Sequence, residues 1–118
     1  MKKFLIIIND APYGTEKAYN ALRMAITLRK NDREAEINVF LMADAVTCAL
    51  PGQKTPDGYY NIERMLKLIL LKGGRVLMCG ACSDARGIRH LPFIEGAVIS
   101  TMVELAQLTA DCDQVLTF

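Results

Sequence analysis

The feature that most constrains this chain is the texture of its strands. Phe4 to Ile8 is an unbroken apolar run with three consecutive isoleucines, opened by Lys3 and stopped by Asn9-Asp10. A strand with one wet face alternates apolar and polar residues. A run without alternation is covered on both faces, the situation of parallel sheets flanked by helices. Ile37 to Met42 reads the same way, rich in branched and aromatic residues, and Arg75 to Cys79 gives a third such strand. Shorter strands are expected at Ala97 to Ile99 and at Gln114 to Phe118.

Helical patterns fill the intervals. Thr15 reads as an N-cap with Glu16 placing negative charge in the first turn. Ala18, Ala21, Leu22, Ala25 and Leu28 then form an apolar stripe to about Arg29. Lys30 to Glu34 is a charged turn. Asp44 to Leu50 reads as a short helix capped by Asp44, and Pro51 to Gly58, with two prolines and two glycines, as a loop. Asn61 to Leu71 is a strong helix on Ile62, Met65, Leu66, Ile69 and Leu70, ended by Gly73-Gly74. Ser100 or Thr101 caps a last helix to about Thr109. Met24, Met65 and Met102 fall on helical stripes and are core candidates; Tyr59-Tyr60 reads as an interface anchor or as a packed loop.

Strands alternating with helices predict a single α/β domain over residues 1–118: three layers, α/β/α, around a five-stranded, mainly parallel sheet with right-handed crossovers. Ligands of such sheets bind beyond the carboxyl ends of the strands. The loops Asp10 to Gly14, Met42 to Val46 and Cys79 to Gly87 lie there.

Composition narrows the function. Fourteen Lys and Arg against 13 Asp and Glu leave a net charge of +1, without the basic stripe that nucleic-acid binding leaves in a sequence. No apolar run approaches the roughly 18–20 residues of a membrane span. The Met-Lys-Lys start and its short apolar run lack the cleavage site of a signal peptide, so a soluble cytoplasmic protein is expected. The hydrophobic fraction of 52% is high for so small a domain and points to an oligomer. Four cysteines in a cytosolic chain argue for buried thiols, a metal or thiol chemistry, against a disulfide scaffold.

Cys79 and Cys82 form a C-x-x-C directly after a strand. With a helical turn beginning near Ser83 or Asp84, Cys82 would sit at its N-terminus, where free N–H groups favour the thiolate. Arg86 could reach back over the same turn, with Arg89 and His90 as further cations. Asp84, pointing inward, would oppose the thiolate. Cys79 ends a buried strand and reads as a shielded resolving or supporting thiol. Asp10 and Asp44 could face Cys82, or serve as turn and cap residues; with Ser83 and Asp84 they complete the candidate ligand contacts. The competing reading is that both cysteines are core packing. One C-x-x-C and one histidine fall short of a zinc site, so no metal or other cofactor is expected. Cys48 and Cys112, without flanking cations, read as buried fillers.

Asn9-Asp-Ala-Pro-Tyr-Gly14, Leu41-Met-Ala-Asp-Ala-Val46, Cys79-x-x-Cys82-Ser-Asp-Ala-Arg-Gly-Ile88, Val103-Glu-Leu-Ala-Gln107 and the Val115-Leu-Thr-Phe118 ending together resemble the DsrE/DsrF-like family, and within it the YchN-type branch. The resemblance spans the chain in order. It implies a five-stranded parallel sheet and homo-oligomers, trimers or hexamers. Some members carry sulfur as a cysteine persulfide in relay between a donor and an acceptor protein, on a cysteine in the loop after a central strand. Cys82 is the better match to that carrier, with Cys79 a departure from a single-thiol design. The resemblance thus implies a sulfur-handling protein. The alternatives are a thiol–disulfide redox protein using Cys79 and Cys82, and a non-catalytic oligomeric module binding a small ligand or a partner.

Overall fold

The computed structural model describes residues 1–55 and 60–118. Five strands form one sheet in the order β4-β3-β2-β1-β5, every pair parallel: β1 (Lys3–Ile8), β2 (Glu36–Leu41), β3 (Arg75–Cys79), β4 (Ala97–Ser100) and β5 (Gln114–Thr117). The sheet agrees with the expectation from unbroken apolar runs and is wholly parallel. Leu5, Ile6 and Ile8 of β1 and Val39, Phe40 and Leu41 of β2 are completely buried. Each such side chain contributes about 1.5–3 kcal/mol of burial. These two strands hold the core because they are central.

From β1 to β4 the chain steps in one direction, so right-handed crossovers put α1 (Lys17–Asn31) and α2 (Ile62–Leu71) on one face, packed against each other. The return from β4 to β5 spans the sheet and puts α4 (Met102–Asp111) on the opposite face, against β1. α1 buries Ala18, Ala21, Leu22 and Ala25, the stripe read from the sequence. Its formal N-cap is Glu16, yet the Thr15 hydroxyl accepts the Lys17 N–H (3.2 Å), so both residues share the start. α2 is capped by Asn61, whose side chain accepts the Arg64 N–H. Thr101 caps α4 in the same manner.

Three expectations need correction. Residues 43–49 form a 3₁₀ turn that Asp44 does not cap; Met42 stands at the cap position and the Asp44 carboxylate turns to Arg86. Met65 packs against the core, but Met24 and Met102 are exposed. Met24 lies off the buried stripe of α1, and Met102 is the first residue of α4, where Leu105 is the residue buried. Tyr60 stacks on Tyr19 at 4.0 Å, as a packed segment. Tyr59 and the last residues of the expected Pro51–Gly58 loop lie outside the described residues. No helix among the described residues is long and apolar enough to cross a membrane.

Gly74, just before β3, sits where the end of α2 meets the sheet. A Cβ there would lie 2.6 Å from the Ile69 Cγ2 and 3.0 Å from its carbonyl oxygen. Gly14, by contrast, has nothing within 4 Å of such a Cβ. Gly74→Ala should therefore cost about 1–3 kcal/mol in urea unfolding, the range for overpacking. Gly14→Ala should stay within about 0.5 kcal/mol of the parent. Equal effects of the two would contradict the packing described.

Candidate thiol site

Parallel pairing sends every strand's carboxyl end to one edge. Leu41 of β2 lies beside Met78 of β3, so the loop after β2 and the segment after β3 leave the sheet side by side. From β3 the chain enters α3 (Gly80–Ala85) without an intervening loop residue. Gly80 makes that possible: a Cβ would lie 3.0 Å from the Ser100 carbonyl oxygen. The helix thus starts earlier than Ser83, and Cys79, not Cys82, occupies its N-cap. The Cys79 sulfur accepts the Cys82 N–H at 3.2 Å. Behind the motif the Ser83 hydroxyl, fully buried, donates to the Cys79 carbonyl at 2.9 Å and ties helix to strand.

The Cys82 sulfur accepts a backbone N–H from across the site: Ala43 N–H at 3.2 Å. Sequence reasoning missed Ala43, and no property of an alanine announces a backbone donor. Its φ is +50°, in the left-handed region, the one non-glycine there among the described residues. That conformation costs an alanine about 1–2 kcal/mol. It is held by the Ala45 N–H donating to the Met42 carbonyl at 2.8 Å and by the neighbouring Asp44. Arg86 donates through Nε and Nη2 to the Asp44 Oδ1, at 2.9 and 2.7 Å, and through Nη1 to the Cys82 carbonyl at 3.1 Å. Arg86 therefore clasps the two loops together at the backbone of Cys82, and does not point its charge at the sulfur. The pair is 31% and 68% exposed, so it contributes at most about 1 kcal/mol to stability; its effect is positional.

The remaining candidates separate. Asp84 pairs with Arg89 at 2.9 Å, and those two with Gly87 and His90 line a shallow hollow of about 350 Å³. Asp10 accepts the Thr15 hydroxyl at 2.8 Å, and its carbonyl accepts the Cys48 thiol at 3.8 Å. Its hydrogen bonds thus hold the loop before α1. Among the described residues no three His, Cys, Asp or Glu gather as a metal site would require.

The four free thiols sit in different surroundings. Burial pushes the Cys48 thiol up to about 12. Burial first, then the adjacent Cys82 thiol, raises Cys79 above the ordinary thiol range. Burial first, and then the Glu36 charge, does the same at Cys112, which is half-buried with its sulfur 3.9 Å from the Asn38 amide nitrogen. Cys82 is half-buried, at the edge where the strands end. Thiolate is the reactive form, so the raised thiols are poor nucleophiles near neutral pH.

Fold and site define a parallel α/β domain with a cysteine pair at the exit of a central strand. The chain belongs to the DsrE/DsrF-like family, whose family model matches residues 2–118. It is 48% identical over 118 residues to Protein YchN of Escherichia coli, the match covering all of both chains. It superposes on the crystal structure of that ychN protein with a TM-score of 0.96, again over the whole of each. A more distant relative is Protein TusC from another Escherichia coli strain, 29% identical over 123 residues and covered completely.

The Cys48 environment predicts a stability signature in alkali. Its folded-state pKa lies above the ordinary thiol value of 9.0, so its neutral burial stabilises the protein fully below about pH 9. That contribution should be lost progressively as pH rises from 9.0 towards about 12. Urea unfolding of Cys48→Ala should show a shallower alkaline fall than the parent; parallel curves would refute the assignment.

Proposed function

We propose that the protein handles sulfane sulfur, with Cys82 as the carrier thiol. One observation carries the reading: of the four cysteines, Cys82 alone is half-buried at the carboxyl edge of the sheet with a backbone N–H directed at its sulfur. The distant likeness to TusC, within a family in which some members relay persulfide sulfur, points the same way.

The chemistry needs no external oxidant. The Cys82 thiolate attacks the outer sulfur of a donor persulfide; a new S–S bond forms and the donor leaves as its thiolate. Onward transfer repeats the step, with an acceptor thiolate attacking the outer sulfur and Cys82 leaving as thiolate. The Ala43 N–H stabilises negative charge on the Cys82 sulfur in both steps. Arg86 and Asp44 keep that N–H in place. A donor and an acceptor protein are the partners this scheme requires, and a cytoplasmic location suits thiol chemistry of this kind.

Use of Cys79 and Cys82 as a redox pair is the second reading. In its favour, the Cys82 N–H donates to the Cys79 sulfur. Against it, Cys79 is only 7% exposed and burial holds it in the thiol form, a poor attacking group.

Homo-oligomerisation belongs to the proposal. Val98 on the edge strand β4 and Met102 and Val103 at the start of α4 are large apolar side chains left exposed. An edge strand with exposed apolar side chains is where a second copy would add.

Two measurements test these points. Reduced protein exposed to inorganic polysulfide should gain one sulfur, mapped to Cys82 by peptide mass spectrometry and removed by dithiothreitol. Cys82→Ser should abolish the gain and Cys79→Ser retain it, while Arg86→Ala should load several-fold more slowly with little change in urea midpoint. Loss of two hydrogens across Cys79 and Cys82 would instead establish the redox reading. In light scattering, Val98→Lys with Val103→Lys should lower the assembly mass; an unchanged mass would place the interface elsewhere.

A further inference from the structure

At the other end of the sheet, the C-terminal ends of α1 and α2 flank a groove of about 730 Å³. Its walls carry Arg29, Lys30, Arg33 and Lys72, with Ile26 and Leu68 between them, and Ile37 at the start of β2 lies at its floor. No carboxylate lines it, and none of the four cations forms an ion pair with a described carboxylate. Since the chain nets +1, everything outside this groove sums to −3, so positive charge is concentrated here.

Cations near helix C-termini often serve only to answer the helix dipole, and magnitudes decide whether that is enough. Each helix end carries about half a negative charge. The two ends together answer about one of the four charges and leave roughly three. Arg29 is committed in part, donating through Nε to the Lys72 carbonyl at 3.2 Å. Lys30, Arg33 and the Lys72 ammonium make no hydrogen bond to a described group. The volume is that of a small-molecule site, within about 300–1,000 Å³, and the walls combine apolar surface with one sign of charge.

We propose that this groove binds a small organic anion with an apolar body: a carboxylate, sulfonate or phosphate held by Lys30, Arg33 and Lys72, its hydrocarbon part against Ile26 and Leu68. The site is independent of Cys82. β2 and β3 run from the groove to the thiol edge, a separation on the order of 15 Å.

Decanoate is the probe, with inorganic phosphate supplying a head alone and decanol a tail alone. Calorimetry on the full chain should show saturable decanoate binding, while each control binds at least about tenfold more weakly. Methyl resonances of Ile26 and Leu68 should shift on titration. Arg33→Ala with Lys72→Ala should weaken binding at least about tenfold, and raising salt about tenfold should weaken it in the unaltered protein, where folding is not in question. Leu68→Ser should weaken decanoate without changing the response to phosphate. Absence of saturable binding, binding indifferent to these substitutions and to salt, or equal binding of phosphate or decanol would each overturn the proposal.

Discussion

The arrangement of the site depends on one constraint: β2 and β3 pair in parallel, so both release their chains at the same edge. The register of Leu41 beside Met78 brings the Ala43 N–H within reach of a cysteine that follows β3. An antiparallel pair would have sent these segments to opposite ends of the sheet. The second requirement is Gly80, which lets helix follow strand without a spacer. A side chain at that position would press on the carbonyl of Ser100 in the neighbouring strand.

Much of the fold was legible because its strands are buried on both faces, and burial writes itself as uninterrupted apolar residues. Phe4 to Ile8 and Ile37 to Leu41 are unambiguous for that reason, as is the α2 stripe opened by the Asn61 cap. What was not legible depends on three-dimensional neighbours. Cys-Gly-Ala-Cys reads as a turn until the tight approach of Ser100 shows why a glycine starts the helix. Asp44 has the look of a cap, and Arg86 takes it across 42 positions of sequence. Arg86 itself was expected at the thiol; it reaches the Cys82 carbonyl, one bond pattern removed from the sulfur. Ala43 carried no sign at all, because its contribution is a backbone N–H and a backbone angle.

The four cysteines illustrate how position overrides residue type. Cys48 is enclosed under the β1 loop and holds its proton into strong alkali. Cys79 supplies a helix cap, a structural duty usually given to serine or aspartate. Cys112 closes α4 beside Asn38, whose buried side-chain oxygen has no hydrogen-bond partner among the described residues. Cys82 is half-buried at the carboxyl edge of the sheet and receives a backbone N–H, that of Ala43. A count of thiols would treat them as equivalent; their surroundings separate one from the other three.

The sheet order also shapes how the chain can be completed. β5 pairs with β1, and the Phe118 N–H donates to the Ile7 carbonyl, so the fifth strand forms one edge of the sheet against the first. β1 is synthesised well before β5, so one of its edges stays bare until Gln114–Thr117 has emerged. During that interval an apolar strand with open N–H and C=O groups is available to any other nascent strand. The long return through α4 is therefore the step on which escape from mispairing depends, and slow, non-local closure is built into the topology.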